Sequence, residues 1–377
     1  MAKRRVFVGA ILFLTTTALL PHRICRQGAS SWIAEDSSHP LALARRVARW
    51  VQSDLDTKNF ATGSTLFDGE WLFGTHQMAA LGLIQTIQSH PDAASELRPI
   101  VDLCIDRMIS PELRAFDSHS WSEDPMDGLE GNKHHAAYYG YLNFVLGRYR
   151  VLAPDNRFSA LNDAITRGLI RRIEGSRTSL LETYPGEVYP VDNASVAGSI
   201  GLTYLGTGAP RPPVLDRWLK MFREQDVEAS SGLVHQSVSA LDGRPLEPGR
   251  GSGTALSVYF LADLDPALAG DLYQSILSSL RETVLGFGAI REYRRGVEGR
   301  GDIDSGPLIL GYSISATGFS IGASRLMGDD ETFEDLFATY RLFGIPHMMN
   351  GELSHITGGP IGDSIMFAML TARRSRP

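Results

Sequence analysis

The chain has 377 residues, of which 43% are hydrophobic and 21% are charged, so it can build the core of one large domain or of two. Its formal net charge of −7 argues against nucleic acid as a partner. Its two cysteines, Cys25 and Cys104, are too few for a disulfide framework or for a metal site of their own.

The N-terminus has the layout of an export signal. Lys3, Arg4 and Arg5 precede an apolar run over residues 6–20, and further basic residues follow this run. Because no clear small-residue cleavage site follows, residues 1–30 are predicted to be either a signal peptide or a single membrane anchor, with residues 6–20 in the inner membrane. We therefore expect the protein to act in the periplasm or as a secreted protein. Only this segment is expected to touch the membrane.

One pattern recurs six times along the rest of the chain. A polar or glycine-rich loop leads into a helix of small and apolar residues, and the loops begin every 53 to 60 residues. The starting residues are Gly74, Gly131, Val191, Gly251, Ser305 and Gly358. Amphipathic helices are predicted between them, at residues 41–55, 94–109, 158–173, 214–223, 266–283 and 330–343.

Six apolar helices that alternate with six amphipathic helices predict an all-α fold, the (α/α)6 toroid. The apolar helices would form a buried inner ring, and the amphipathic helices would form an outer ring with one face in water. The main alternative is an open solenoid of helix pairs, but six units with one polar loop each favour closure. Residues 232–239 and 289–293 could form short β-hairpins in the loops. With no visible linker, residues 31–377 are predicted to be one domain.

The central stretch for function is residues 182–193, in which two proline-containing turns precede an apolar helix. In a toroid, the loops before the inner helices meet on one face, so their polar and aromatic side chains can be pooled as one site. The candidate substrate-binding residues in these loops are Asp68, Glu70, Trp71, His76, His135, Tyr138, Tyr139, Tyr141, Tyr189, Asn193, His235 and Asp302.

With acids and aromatics on such a toroid, the chain resembles the six-hairpin glycosidase superfamily, whose members hold acidic residues and aromatic platforms in a central cleft. A narrower resemblance is to linalool dehydratase/isomerase, and it rests on the region of Asp68, residues 134–141 and the loop of residues 189–193. That family keeps a cysteine in the last of these regions. Here, residues 182–193 contain none.

Cleavage of a glycosidic bond requires one protonated and one ionised carboxyl group. A helix N-terminus favours negative charge, so Asp192 is predicted to be the base. Asp304 is the first candidate for the acid, and Glu187 is the alternative because apolar and aromatic residues flank it. His134 is a further catalytic candidate in the cleft. Asp192 is equally well explained as a helix N-cap, and Asp302 and Asp304 as residues of Asx turns.

Three functions remain open at this point. The first, which we favour, is an exported carbohydrate-active enzyme, most simply a glycoside hydrolase with a glycan as its partner. The second is a hydro-lyase or isomerase that acts on a small hydrophobic alcohol. The third is a non-catalytic toroid that binds a glycan or a protein. No metal or other cofactor is expected, because the Asp302-x-Asp304 pair has no third ligand nearby in the sequence.

Overall fold

The computed structural model describes residues 20–34 and 38–375. Residues 20–26 (α1) and Ala29–Ile33 (α2) are helical and precede a ring of helix pairs. In chain order, each outer helix and the inner helix that follows it are His39–Gln52 (α3) and Thr65–Ser89 (α4); Ala94–Met108 (α5) and, after the short Ala115–Trp121 (α6), Ala136–Leu152 (α7); Ser159–Gly175 (α8) and Pro190–Thr207 (α9); Pro213–Met221 (α10) and Gly251–Leu261 (α11); Pro266–Ser279 (α12) and Ile314–Met327 (α13); Asp330–Gly344 (α14) and Gly359–Leu370 (α15).

The inner helices α4, α7, α9 and α11 bury most of their residues, whereas the outer helices bury one face. All but one residue of α11 is buried, and α4 buries an unbroken stretch of thirteen residues, 75–87. Among the outer helices, α3 buries six of its fourteen residues, at the spacing of one helix face. The alternation read from the sequence is therefore the alternation of the two rings, and the prediction of an (α/α)6 toroid is confirmed.

The last hairpin of the ring packs against the first, so the ring is closed. Asp363 on α15 is almost fully buried, and its carboxylate accepts hydrogen bonds from Trp50 Nε1 at 2.7 Å and Arg46 Nε at 3.2 Å, both on α3. Along α4, the aromatic ring of Phe367 lies so close to Gly82 that no side chain would fit between the two helices. An open solenoid would leave these surfaces apart.

Within the described residues, three short antiparallel pairs of strands lie in the loops. They are Glu187–Val188 (β1) with Val238–Ser239 (β2), Arg281–Val284 (β3) with Phe287–Ile290 (β4), and Pro346–Met349 (β5) with Glu352–His355 (β6).

The strands differ from the sequence prediction in three ways. Residues 238–239 pair with the loop before α9 and not within residues 232–239. Residues 289–290 pair with residues 281–282, so α12 ends at Ser279, earlier than predicted. The turn between β3 and β4 is made by Leu285 and Gly286, with φ of 53° and 92°, the backbone geometry of a tight two-residue hairpin turn. The third hairpin, at residues 346–355, was not predicted.

Residues 20–33 pack against the outside of the ring. Trp32 is 4% exposed, and its carbonyl oxygen accepts a hydrogen bond of 2.7 Å from Arg325 Nη1 on α13. Arg26 forms an ion pair with Glu334 on α14. Most of the predicted export signal, residues 1–19, lies outside the described residues. Among the helices that are described, none combines the length and the hydrophobicity needed to cross a bilayer.

The inner helices α9 and α11 approach most closely at Gly198. A Cβ atom built there would lie 2.2 Å from the carbonyl oxygen of Phe260. Gly198→Ala is therefore expected to push the helices apart and to lower the free energy of unfolding by about 1–3 kcal/mol. Urea-induced unfolding followed by circular dichroism measures this change.

Gly270→Ala on α12 is the matched control, because a Cβ there meets nothing within 4 Å. The better helix propensity of alanine should raise the free energy of unfolding by up to about 1 kcal/mol. Equal destabilisation by both substitutions would contradict the close approach at Gly198.

Candidate active site

Three carboxyl groups from three different hairpins meet at one end of the toroid. Glu70 lies in the second turn of α4, Asp192 lies in the first turn of α9, and Asp304 lies in the loop before α13. Their mutual electrostatic effect shows that they are close, because the charges of Asp304 and Asp192 both raise the pKa of Glu70. Three like charges in one place cannot all be ionised cheaply, so the group favours at least one protonated member near neutral pH.

Among these three carboxyl groups, Glu70 has the strongest tendency to stay protonated. Burial raises its pKa to about 8, and the charges of Asp304 and Asp192 add to this effect. Tyr184 opposes the shift, since its hydroxyl group donates a hydrogen bond of 3.1 Å to Glu70 Oε2 and so favours the ionised form. Burial and the like charges raise the pKa of Glu70 by more than the hydrogen bond from Tyr184 lowers it. At pH 7 Glu70 can therefore give away a proton.

Asp192 is held by two hydroxyl groups. Thr183 Oγ1 donates a hydrogen bond of 2.6 Å to Oδ2, and the Tyr141 hydroxyl group donates one of 2.5 Å to Oδ1. Burial raises the pKa of Asp192 to about 6 although both of these donors favour the ionised carboxylate. Asp192 is thus ionised above about pH 6, while Glu70 remains protonated up to about pH 8.

Arg250 is a buried cation beside this cluster. Its guanidinium group is 3.4 Å from Glu292 Oε1, donates a hydrogen bond of 2.5 Å to Asp302 Oδ2, and lies 3.5 Å from Asp304 Oδ2. Ser252 Oγ donates a further hydrogen bond of 2.6 Å to Glu292. One cation therefore compensates three carboxylates, and it fixes the loop that carries Asp302 and Asp304.

The two aspartates of this loop differ in their environments. Asp302 makes the Asx turn expected as an alternative, since its Oδ1 accepts hydrogen bonds from the backbone N–H groups of Asp304 and Ser305. Burial would raise the pKa of Asp302, but the charge of Arg250 and these donors outweigh it, so the pKa is lowered. The side chain of Asp304 is 55% exposed at the mouth of the site. Its pKa is nevertheless raised, because loss of surrounding water and the charge of Asp302 outweigh Arg250.

Asn193 shapes the loop that carries Asp192 but does not face a substrate. It is fully buried, and its amide group bonds to the backbone of Leu181 in both directions, at 2.7 and 3.0 Å. It donates a third bond, of 3.1 Å, to the carbonyl oxygen of Tyr189. Because these bonds fold residues 181–193 back on themselves, Thr183 and Tyr184 come to lie next to the acids.

Glu187 does not have the buried environment on which its assignment as the acid depended. It lies on β1, is exposed to solvent, and accepts a hydrogen bond of 3.0 Å from the Tyr189 hydroxyl group. The exposure follows from the strand, in which Val188 turns inward and its neighbour turns outward. The carboxyl group with a strongly raised pKa in this region is therefore Glu70, for which the sequence suggested only substrate binding.

His76, His134 and His135 each form a hydrogen bond with another group of the protein. His76 is buried on α4, where its Nδ1 bonds to the carbonyl oxygen of Leu72 and burial lowers its pKa to about 4. His135 is fully buried and bonds to Asp117 at 2.6 Å. His134 accepts a hydrogen bond of 3.0 Å from the backbone N–H of Glu182, so it helps to hold the central loop.

The three tyrosines of α7 separate as their spacing on a helix requires. Tyr138 and Tyr139 are fully buried and donate hydrogen bonds to the carbonyl oxygens of Met108 and Pro125. Tyr141 reaches the acid cluster through Asp192.

The remaining candidates lie at the edge of the cluster or away from it. Trp71 is half-buried, and its ring meets that of Phe60 edge to face. Asp68 accepts hydrogen bonds from the backbone and the hydroxyl group of Thr62 at the start of α4. His235 bonds to the carbonyl oxygen of Glu247 in the loop before α11.

Sequence reasoning did not single out Thr183, Tyr184, Arg250 and Glu292 as site residues. Thr183 and Tyr184 stand inside the central stretch, so their position was the available signal. Arg250 directly precedes the glycine-rich start of α11. No local pattern marks Glu292. Within residues 20–34 and 38–375, no three His, Cys, Asp or Glu side chains are grouped as metal ligands would be.

Comparison with solved structures identifies the fold. The GH76 α-mannanase of Bacteroides thetaiotaomicron is similar over 91% of this chain and 97% of its own, with 8% identity and a TM-score of 0.51. The GH76A α-1,6-mannanase of Salegentibacter sp. HEL1_6, solved as an inactive variant with α-1,6-mannotriose, is similar over 90% of this chain and 98% of its own, with 11% identity and a TM-score of 0.52. The chain has the fold of the six-hairpin glycosidases.

At these identities, the likeness to the six-hairpin glycosidases is one of fold. No protein-family model matches the chain, and a comparison with curated proteins finds no match. The resemblance to linalool dehydratase/isomerase is not shown. Cys104, on the outer helix α5, is fully buried, and burial raises its pKa.

Proposed function

We propose that the protein is a glycoside hydrolase in which Glu70 is the general acid and Asp192 is the base or nucleophile. The observation that carries this proposal is the separation of their pKa values, about 8 and about 6, on a glycosidase scaffold. Two carboxyl groups of which one is protonated and one ionised at the same pH are what glycosidic cleavage requires.

The proposed reaction uses side chains of this chain alone. Glu70 gives its proton to the glycosidic oxygen as the bond to the anomeric carbon breaks, so the leaving sugar departs as a neutral alcohol. The carboxylate of Asp192 either takes a proton from a water that attacks the anomeric carbon, or attacks that carbon itself to form a glycosyl ester, which a water deprotonated by Glu70 then hydrolyses. Thr183 and Tyr141 orient this carboxylate through their hydrogen bonds. Asp304, at the mouth of the site, adds negative charge that favours the positively charged transition state.

Glu70 and Asp192 are arranged differently from the two residues that are replaced in the inactive mannanase variant. The inactive mannanase variant has two consecutive aspartates replaced by asparagine. The only consecutive aspartates in this chain are Asp329 and Asp330. They begin the outer helix α14, where Asp329 accepts hydrogen bonds from the Thr332 N–H and the Tyr273 hydroxyl group. The acids that we propose for this chain come instead from separate parts of the sequence, near the starts of α4 and α9.

An activity screen tests the proposal. The full chain is incubated with α-1,6-mannan, other polysaccharides and a few terpene alcohols, and we expect release of reducing sugar from at least one glycan. Asp192→Asn should lower this activity by at least ~10²-fold. Asp155→Asn, in the exposed loop between α7 and α8, is the control and should have little effect.

Two other results of the screen would replace the proposal. Turnover of an alcohol without release of sugar would point to a hydro-lyase or isomerase. Glycan binding without turnover, unchanged by Asp192→Asn, would point to a binding toroid.

The pH dependence of kcat/KM tests the role of Glu70. The profile should fall below about pH 6 as Asp192 takes a proton and above about pH 8 as Glu70 loses one. The Tyr184 hydroxyl group stabilises ionised Glu70, so Tyr184→Phe should raise the pKa of Glu70 and move the alkaline limb to higher pH. Tyr189→Phe is the control, because its hydroxyl group bonds to exposed Glu187. An alkaline limb that stays in place, or moves down, in Tyr184→Phe would exclude Glu70 as the acid.

The cellular location of the protein is inferred from its N-terminal sequence. The basic start and the apolar run over residues 6–20 support export to the periplasm or the medium, with or without a retained anchor. A glycan outside the cytoplasm is then the substrate that the enzyme would meet. Fractionation of cells that express the full chain, followed by N-terminal sequencing of the product, tests both export and cleavage.

A further inference from the structure

One side of the toroid exposes an unusual set of apolar side chains. Its main members are Ile24, Leu285, Phe343, Met348, Met349 and Ile356, which are between 50% and 67% exposed. We call these six residues the apolar face. Single exposed apolar residues are ordinary, but a group of large ones on one side marks an interaction surface.

Direct contacts join the parts of the apolar face to one another. The ring of His22 on α1 packs edge to face against Phe287, next to the turn that carries Leu285, at a centroid distance of 5.4 Å. On its other side, α1 meets the end of α14, where Arg341 Nη1 donates hydrogen bonds to backbone carbonyl oxygens of α1 and of Gln27, just beyond it. The helix α1 therefore bridges the turn of β3–β4 and the end of α14.

The β5–β6 hairpin continues the apolar face from the end of α14. The Thr357 hydroxyl group bonds to the carbonyl oxygen of Phe343 at 2.8 Å, and the Ile356 N–H bonds to that of Gly344 at 3.1 Å. Met348 and Met349 stand at the far end of this same hairpin.

The β5–β6 hairpin exposes Met348 and Met349 and is itself held in place by contacts with the ring. Its base is fixed by His355, which bonds to buried Asp363 at 2.5 Å and to the Tyr340 hydroxyl group at 2.6 Å. Glu352, near the turn, forms an ion pair with Arg49 on α3. Ile345, which enters the hairpin, has φ of 47°, a strained backbone for a β-branched residue. A rigid support for exposed apolar groups is what a docking surface needs.

The sequence indicates what this surface meets. The apolar run over residues 6–20 ends at Leu20, the first described residue of α1, and α1 lies within the apolar face. Lys3, Arg4 and Arg5 precede the run, and Arg23 and Arg26 follow it. An apolar run with basic residues at both ends suits a bilayer with anionic headgroups. A bilayer that takes up this run must also lie against the side of the toroid from which the run starts.

We propose that the apolar face docks on a lipid bilayer, so that the toroid lies against the membrane with this side and does not hang from its N-terminus alone. The turn of β3–β4, the end of α14 and the tip of β5–β6 would enter the headgroup region, as interfacial apolar groups do. The proposal is independent of the catalytic assignment, and its test uses no activity.

The test places a fluorescent probe at three positions of the full chain, with Cys25→Ser as the background so that the remaining native thiol is the buried one. Met349→Cys and Phe343→Cys lie in the apolar face. Leu241→Cys is the matched control, since Leu241 is 75% exposed but follows β2 at another part of the ring. Each labelled protein is bound to vesicles of phosphatidylcholine and phosphatidylglycerol that carry a headgroup-level spin-label quencher.

We expect the probes at residues 349 and 343 to lose roughly half of their fluorescence and the probe at residue 241 to lose little, because only the first two would reach the headgroups. Vesicle-bound protein with equal quenching at all three positions, or with none at 349 and 343, would overturn the proposal. A blue shift at 349 and 343 without lipid would also overturn it. Such a shift would show cover by residues 6–19 if it does not depend on protein concentration, and by a second copy of the chain if it does.

A second measurement does not depend on labelling. Met349→Asp should weaken co-sedimentation of the full chain with the same vesicles, whereas Leu241→Asp should leave it unchanged. Thermal unfolding of both variants shows whether each is folded. Equal binding by two folded variants would overturn the proposal.

Discussion

Glu70→Gln is expected to lower kcat on a natural glycan by about 10²–10⁴-fold, the usual contribution of a general acid. Glutamine keeps the size of the side chain and can still accept the hydrogen bond from Tyr184, but it has no proton to give. The loss should be much smaller on a dinitrophenyl glycoside, whose leaving group departs without protonation. Initial rates on the two substrates measure this difference.

Glu187→Gln is the matched control, because Glu187 is an exposed acid of the central loop. It should leave both rates nearly unchanged. Equal losses on the natural and the activated substrate in Glu70→Gln would mean that Glu70 holds the site together and does not donate the proton.

Arg250→Met is expected to lower the free energy of unfolding at pH 7 by about 3–5 kcal/mol, the cost of breaking a buried ion pair on one side. The Arg250 side chain is 3% exposed and the Glu292 carboxylate is fully buried. Without Arg250, water therefore cannot reach the Glu292 carboxylate to stabilise its negative charge. Urea unfolding at several pH values measures the effect.

The pH dependence of this loss has a definite sign. Arg250 helps to lower the pKa of Asp302 in the folded state, so it contributes stability that is present above the unfolded pKa of an aspartate and is lost as pH falls through the folded pKa. The difference between the wild type and Arg250→Met should therefore be largest near pH 7 and should shrink in acid. Adding Glu292→Gln should restore part of the stability, because it removes the stranded charge.

Arg223→Met is the control for a surface ion pair. Arg223 bonds to Asp265 and Asp271 on the outside of the ring, and its side chain is 36% exposed. We expect a loss of at most about 1 kcal/mol. If both arginine variants lost the same amount, the Arg250 cluster would be no more than an ordinary surface network.

The fold could be predicted from sequence because each ring of helices has its own local pattern. Outer helices need one apolar face, and inner helices need apolar or small residues all round, and both requirements are visible in a short window. A hairpin was predicted at residues 289–293, but its partner strand, residues 281–284, was missed because this strand continues the apolar spacing of α12.

The first inner helix shows the limit of reading boundaries from glycines. The pattern placed its start near Gly74, but α4 begins at Thr65 and contains Gly69, Gly74 and Gly82. Glycine is tolerated there because neighbouring elements lie against the helix: a Cβ at residue 69 would lie 3.0 Å from the Cβ of Phe116. Glu70 therefore stands on a helix, and not in a loop.

The site was harder to predict because its chemistry depends on contacts between hairpins. Asp192 and Asp304 could be proposed as catalytic residues from the sequence because both lie near the predicted starts of inner helices. The raised pKa of Glu70 was not predictable, since it comes from burial and from two acids that arrive from other hairpins. Glu187 looked similar in the sequence, but strand pairing turns it outward.

Because the ring is closed, the acid cluster can form only after both ends of the ring have been synthesised and folded. Glu70 lies near the beginning of the toroid and Asp304 near its end, and α15 must join α3 and α4 before the circle is complete. A growing or partly exported polypeptide would hold Glu70 long before the segment that carries Asp304 reached it. The acid cluster would thus form only when almost the whole chain has arrived and folded, and the cell that makes the protein would not meet its completed site during synthesis.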